Sequence, residues 1–285
     1  MPEPKINIGE WIGPFEGRID ADAALAYARA TDDPNQVYED GAAVPPLFTV
    51  SLIFDAYLQS VRDGVPQGAI EGVRGGVHAE HDLRLHRPLK PGADVSWKAT
   101  TSGATQTRAG VLVAQHIVVS DDEGPAVEHY WTTLNMGGTI AGPLGEELVD
   151  HTFPEESRAH ALGMHSFAVA RDQAFRYGGA SGDRSLFHLD DAAAVRAGFP
   201  SKFMQGMCSF AMCTGAVVKL AAGGDPDRVR RMACRFSAPM FPGNDLDVTV
   251  YDAPEASVEG SHAVAFEAIS NDVVVIKHGR ADIAD

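Results

Sequence analysis

The chain is poor in basic residues and in cysteine, and it has no long apolar run. Lys and Arg total 23 against 39 Asp and Glu, a formal net charge of −16. Such a surface repels polyanions, so wrapping a nucleic-acid backbone or lying on an anionic membrane is excluded unless a local basic patch overrides it. Three cysteines, Cys208, Cys213 and Cys234, are too few and too irregularly spaced for a disulfide framework or a zinc knuckle. They suit buried thiols in a reducing compartment. No stretch approaches the roughly 20 apolar residues of a membrane-crossing helix. The opening "MPEPKINIGEWIGPFEG" has no basic region ahead of an apolar core, and "GRADIAD" at the other end carries no targeting tripeptide. The expectation is a soluble, cytoplasmic protein.

What is present is a repeat. At 285 residues and 45% hydrophobic content the chain can fill two ordinary cores. Shifted by 150, "ATDDPNQVYEDGAA" (30–43) falls on "ASGDRSLFHLDDAA" (180–193) without a gap, matching Ala30, Asp33, Asp40, Ala42 and Ala43 with Ala180, Asp183, Asp190, Ala192 and Ala193. Further on, "LRLHRPLKPGADV" falls on "CRFSAPMFPGNDLDV", pairing Pro88 with Pro239 and Pro91-Gly92 with Pro242-Gly243. Two matches in the same order point to an internal duplication.

Each half offers one helical stretch and then several strands. "PPLFTVSLIFDAYLQSVRDG" has apolar residues at three- and four-residue spacing from Pro45-Pro46 to Gly64, and "GMCSFAMCTGAVVKLAAGG" ends at Gly223-Gly224, a C-cap signal. The strand candidates are "HDLRLHRPL", "ADVSWKATT", "VLVAQHIVVS" and "VEHYWTTLNM", then "RMACRFSAPM", "LDVTVYDA", "HAVAFEAI" and "VVVIKHGRADI". Turn signals between neighbours favour antiparallel meanders, and a long helix against such a sheet is an α+β layer. The expected division is residues 1–140, a linker over 141–165 rich in Gly, Pro and charge, and residues 166–285.

Asp183 stands five residues before His188. Each has a plain structural reading, Asp as a turn former and His as a satisfied polar residue. In the sister copy Asp33 is kept but Tyr38 takes the histidine position, so the imidazole is not demanded by the fold. One working site, in the second half, is the simpler inference.

These residues resemble the MaoC-like, (R)-specific enoyl-CoA hydratase family, in its two-domain form called hydratase 2. The matching positions are Tyr177, Ser181, Gly182, Asp183 and His188, followed by "LDDAAAVRAGFP", then "FMQGMCSFA" and "CRFSAPMFPGNDLDV"; "VPPLFTV" and "GVHAEHDLRLHRPLKPG" resemble the family's first domain. The resemblance implies a double hot-dog fold, each half an antiparallel sheet wrapped around one helix, with a degenerate first half that shapes the acyl pocket. It implies reversible hydration of trans-2-enoyl thioesters, acyl-CoA as substrate and no cofactor. Relatives suggest a homodimer, although the two halves already supply the pairing a single-domain relative gets by dimerising.

Hydration needs a base for water, an acid for C2 and donors for charge on the thioester oxygen. Asp183 and His188 are read as the acid/base pair, and the N–H of Gly206, at a helix start, as the oxyanion donor. Tyr177, Gln205, Lys202, Arg231 and Arg235 are read as substrate-binding. Ser185 and Leu186 stand where the family has Asn-Pro, and Gln205 where it has His. Ser185 is a candidate positioning residue. Two alternatives stay open: thioester hydrolysis on the same fold, and a decayed site that binds acyl thioesters without turnover.

Other constellations carry less. His78, Glu80, His81 and His86 suggest a metal, but in a strand a three-residue spacing sends the first two histidines to opposite faces, so none is expected. "GGTIAGPLG" reads as a flexible connector and not as a phosphate loop. The cluster Arg228, Arg230, Arg231 and Arg235 is either a solvated surface or the cations for the CoA phosphates. Cys208, close to a helix start, has no base at recognisable spacing and reads as packing.

Overall fold

The helix over Gly206–Ala221 is buried nearly all round, with Met207, Cys208, Phe210, Met212, Cys213, Ala216, Val217 and Val218 inside. A helix with no polar face must run through a core. It stops where Gly223 takes a left-handed φ of 66° and Gly224 N–H donates to Val218 O at 2.9 Å. Its counterpart, Val50–Gly64, buries only the stripe Val50, Ile53, Ala56, Ser60 and Gly64. That helix begins later than the apolar pattern suggests, because Pro46 disfavours helical backbone at Pro45 and residues 45–49 are spent in turns.

The computed structural model describes residues 5–33, 35–150 and 152–285. In the first half the elements are β1 (Ile12–Arg18), α1 (Ala21–Ala30), α2 (Gln36–Glu39), α3 (Val50–Gly64), β2 (Gly75–Leu85), β3 (Asp94–Gln106), β4 (Gly110–Asp121), β5 (Gly124–Met136) and the short β6 (Leu144–Gly145). In the second they are β7 (Ala161–Ala168), α4 (Gln173–Ser181), α5 (Leu186–Leu189), α6 (Asp191–Arg196), α7 (Gly206–Ala221), β8 (Val229–Phe236), β9 (Asp245–Asp252), β10 (Ser261–Ser270) and β11 (Val273–Ala284).

All the strands join one 11-stranded antiparallel sheet, ordered β1-β3-β4-β5-β2-β8-β11-β10-β9-β7, with β6 beside β3. The order reads the same from both ends once each strand is replaced by its repeat partner. Asp82 and Ala233 face each other across the β2–β8 seam, and Tyr27 and Tyr177, 150 residues apart, touch hydroxyl to hydroxyl at 3.4 Å. Equivalent residues meet only on a twofold axis, so the duplication has folded into a pseudo-dimer. Each half of the sheet curls around its helix: α3 packs on β1, β3 and β4, and α7 on β7 to β11. Period-two burial supports this, as in β9, where Leu246, Val248 and Val250 point inward.

The stretch expected to be linker is partly ordered structure. Within it β6 pairs with β3, and β7 is under way at Ala161, ahead of residue 166. Glycine-rich composition hides such segments because their backbone bonds, not their side chains, hold them.

Candidate active site

α4 ends at Gly182, whose φ of 83° lies in the left-handed region that favours glycine, and this turns the chain off the helix axis. Asp183 follows. Its Oδ1 accepts from the Ser185 N–H at 3.1 Å and from the Ser185 hydroxyl at 2.6 Å, an Asx turn reinforced by a side chain. That leaves Oδ2 facing His188 Nε2 at 3.9 Å. The gap is too long for a direct hydrogen bond and suits one bridging oxygen.

His188, on α5, is 6% exposed. Its Nδ1 lies 2.8 Å from the Phe203 carbonyl. A carbonyl only accepts, so Nδ1 carries the proton and donates, and Nε2 of the neutral ring turns a lone pair toward Asp183. Burial lowers the His188 pKa below the ordinary histidine value, with the Asp183 carboxylate and the Phe203 carbonyl opposing. The ring is thus held neutral and basic at the nitrogen that faces the carboxylate. Phe203 is a participant that sequence did not mark, since any residue type supplies a carbonyl.

Gly206 is the first residue of α7, where backbone N–H groups have no intrahelical acceptor and the dipole favours negative charge. A Cβ at this position would lie 3.1 Å from the Phe236 ring, so the glycine lets an aromatic wall close on the helix start. Gln205 joins this helix to the Asp183 turn: its Nε2 donates to Ala174 O and to Asp183 O, both at 3.0 Å. Gln205 is 0% exposed, so the reading as a substrate contact is replaced by one as a tie between the acid/base segment and the α7 N-terminus. Gly178 makes room for that tie, since a Cβ there would come 2.9 Å from Asp183 O.

Other expected ligand contacts move as well. Tyr177 is fully buried on the pseudo-twofold axis against Tyr27, away from solvent. Arg231 donates from Nη2 to Asp82 Oδ2 at 2.5 Å, and Arg235 from Nε to Glu80 Oε1 at 2.6 Å. Both guanidinium groups therefore neutralise acids across the β2–β8 seam, Asp82 being wholly buried. Arg228 donates to the Ala284 carbonyl and Arg230 to the Asp227 carbonyl. The basic run fastens the sheet, with two of its four guanidinium groups on carboxylates and two on backbone carbonyls. Lys202, in the loop before α7, holds its Nζ 5.2 Å from the Phe175 ring and its backbone N–H on Asp191.

The histidines of β2 also differ from expectation. A β-bulge between His78 and Glu80 rotates the strand, so the rings of His78 and His81 lie 5.3 Å apart on one side instead of facing opposite ways. Among the described residues no cluster of three or more His, Cys, Asp or Glu could hold a metal. In the sister copy, Asp33 accepts from the Asn35 N–H at 3.2 Å and abuts the position of Gly215 on α7. Burial raises its pKa, and Tyr38 sits buried where His188 stands in the second half.

Two sheets' worth of strands curled about α3 and α7 define a double hot-dog protein. Residues 154–273 match the MaoC like domain, and residues 7–129 match the FAS1-like dehydratase domain region. The two matches lie in tandem, one on each half of the chain, and together mark it as similar to two-domain MaoC-like dehydratases. A 3-hydroxyacyl-thioester dehydratase Y of Mycobacterium tuberculosis is 28% identical over 181 residues, covering 61% of each chain. Peroxisomal enoyl-CoA hydratase 2 of Arabidopsis thaliana is 36% identical over 181 residues, 60% of this chain and 58% of the relative. The match thus spans about three fifths of these two relatives' lengths. Among solved structures, a MaoC-like dehydratase from Phytophthora capsici superposes with a TM-score of 0.78 at 22% identity, covering 96% of this chain and 95% of that one. The full-length peroxisomal multifunctional enzyme type 2 of Drosophila melanogaster gives 0.71 at 20% identity, covering 96% of this chain and 48% of that one. Both likenesses concern the fold.

Proposed function

We propose that this chain is an (R)-specific enoyl-CoA hydratase, adding water reversibly to trans-2-enoyl thioesters. The observation that carries the reading is the 3.9 Å gap between Asp183 Oδ2 and a His188 Nε2 whose lone pair is fixed by the Phe203 bond. Two acceptors facing each other at that distance hold one water by both its protons. His188 takes one of them, the oxygen bonds to C3, and the electron pair of the double bond moves through C2 to the thioester oxygen. The Gly206 N–H and the α7 dipole stabilise that oxygen, a contribution worth about 10²- to 10³-fold in rate. His188 then returns its proton to C2, which leaves the enzyme as it started. Dehydration is the same path reversed.

Ser185 holds Oδ1 so that Oδ2 stays free, the positioning part expected of it. The relatives named as hydratases and thioester dehydratases support the substrate class. Lys202 is the cation we assign to the phosphates of the carrier, since Arg231 and Arg235 are committed elsewhere. The proposal includes no cofactor beyond the CoA of the substrate and a cytoplasmic location, the latter supported only by three buried free thiols that suit a reducing compartment.

The test is incubation with crotonyl-CoA and longer enoyl-CoAs while the conjugated double bond and free thiol are followed together. Loss of the first without the second is hydration. Thiol release would favour the thioesterase alternative, and neither signal at any chain length would leave binding alone.

A further inference from the structure

A wall beside the site joins one residue of the second half to several of the first. Beside Gly206 lies Phe236, at the end of β8; its ring centroid is 4.7 Å from His78. His78 stacks on Trp131 at 4.1 Å and 10°, and the other face of Trp131 takes Tyr57 at 4.1 Å and 20°. Phe54 packs on the same indole at 6.1 Å. The column thus runs from the oxyanion donor to Tyr57 on α3. The near end of the wall, Phe236, borders the start of α7 at Gly206.

The wall is also braced from behind. The Tyr57 hydroxyl bonds Thr133 Oγ1 at 2.9 Å. The imidazoles form a chain: His78 Nε2 lies 3.0 Å from the Glu80 carbonyl and 3.4 Å from His81 Nδ1, His81 Nε2 lies 3.0 Å from His129 Nδ1, and His129 Nε2 lies 2.8 Å from the Thr49 hydroxyl. The carbonyl accepts only, so His78 donates from Nε2. The one Nε2–H of His78 is shared between the Glu80 carbonyl and the more distant His81 Nδ1, and His81 and His129 each donate onward from Nε2. Burial holds His78 and His129 neutral, with pKa values lowered to about 3. A fully paired polar chain in a core fixes one arrangement, and stacked rings backed by it have no soft direction in which to yield.

We propose that this chain takes short acyl groups, and that Phe236, with Trp131 and Tyr57 behind it, sets the limit on chain length. The inference rests on the enoyl-thioester reading above and adds the class of acyl group to it. A thioester oxygen on the Gly206 N–H and a C3 beside His188 leave the rest of the chain to run along or into this wall. A rigid, close-packed wall rejects added methylenes through overpacking. The histidines that suggested a metal in the sequence are, on this account, the brace of a specificity surface.

The experiment has two arms. In the first, kcat/KM is measured for trans-2-enoyl-CoAs of four to twelve carbons with the wild type, Phe236→Ala and the milder Phe236→Leu. The wild type should favour the shortest and lose at least about tenfold by eight carbons, the order of discrimination that one or two ill-fitting methylenes produce. Both variants should move the optimum to longer chains. In the second arm, calorimetry measures binding of the saturated butyryl-, hexanoyl-, octanoyl- and decanoyl-CoA, which requires no turnover. Wild-type affinity should stop rising past the shortest members, whereas Phe236→Ala should gain up to about fourfold per methylene over the newly accepted length. Equal wild-type efficiency on crotonyl- and decenoyl-CoA, or a profile unmoved in both variants, overturns the proposal. Absence of hydration with a retained binding cut-off would sink the hydratase reading and leave the wall as described; binding that keeps rising with chain length in the wild type would sink the wall.

Discussion

Replacing Asp183 by Asn isolates the carboxylate's chemistry from its structural work. The amide oxygen of Asn can still accept the Ser185 N–H and hydroxyl that now bind Oδ1 at 3.1 and 2.6 Å, so the turn survives. Facing His188 Nε2 across 3.9 Å, an acceptor becomes an NH2 donor. A water there can no longer give both protons away, and Nε2 gains a donor that competes for its lone pair. The expected loss is that of a misplaced reacting water, about 10²-fold in kcat, or roughly 2.7 kcal/mol of barrier, with KM little changed. The pH profile gives a second readout. The carboxylate opposes burial and raises the His188 pKa, so removing its charge should move the acidic limb of the profile to lower pH. Stopped-flow loss of enoyl absorbance on crotonyl-CoA across pH, with circular dichroism as a folding control, measures both. A variant within about threefold of wild type, or a limb that moves up, would refute the assignment.

Gly206→Pro should remove the proposed oxyanion donor while keeping α7, because proline is favoured at a first helical position and Gln205 already has the extended ψ of 129° that precedes proline well; kcat should fall about 10²- to 10³-fold, and Gly206→Ala, which puts the same Cβ 3.1 Å from Phe236 but keeps the N–H, is the control that should lose much less. Arg231→Met leaves Asp82, 0% exposed, without its main partner, and should cost about 3 kcal/mol by urea titration; an unchanged stability with a raised KM for CoA substrates would instead return Arg231 to the ligand. For His129, whose pKa is lowered to about 3 by burial, the unfolded chain binds a proton between about pH 6.5 and pH 3 that the folded chain does not. Its contribution to stability is complete above pH 6.5 and falls on acidification by at most about 1.4 kcal/mol per pH unit. Denaturation at pH 7 and pH 4.5 should show a smaller loss in His129→Asn than in the wild type, judged relative to each protein's own stability at pH 7.

The sequence by itself determined the duplication, the two central helices and the strand series, because these rest on local periodicity, turn chemistry and the near-identity of spacing in both copies. It also singled out Asp183, His188 and Gly206 as candidates, since Asp183 and His188 share one short segment and a glycine at a helix start is a local signal. Strand pairing inside the glycine-rich connection, such as that of β6 with β3, was not legible because backbone bonds leave no side-chain pattern. Only the tertiary structure decided which cations were free. Arg231 and Arg235 look available in a basic run, but their partners Asp82 and Glu80 arrive through the β2–β8 seam from about 150 residues away. The same holds for Gln205, whose two acceptors come from α4 and the Asp183 turn, and for the brace of His78, His81 and His129, which needs a bulge in β2 and a neighbouring strand to assemble. Spacing along the chain fixes what a residue is near in its own element, whereas charge neutralisation and hydrogen-bond pairing in a core are set by whichever distant element is folded against it.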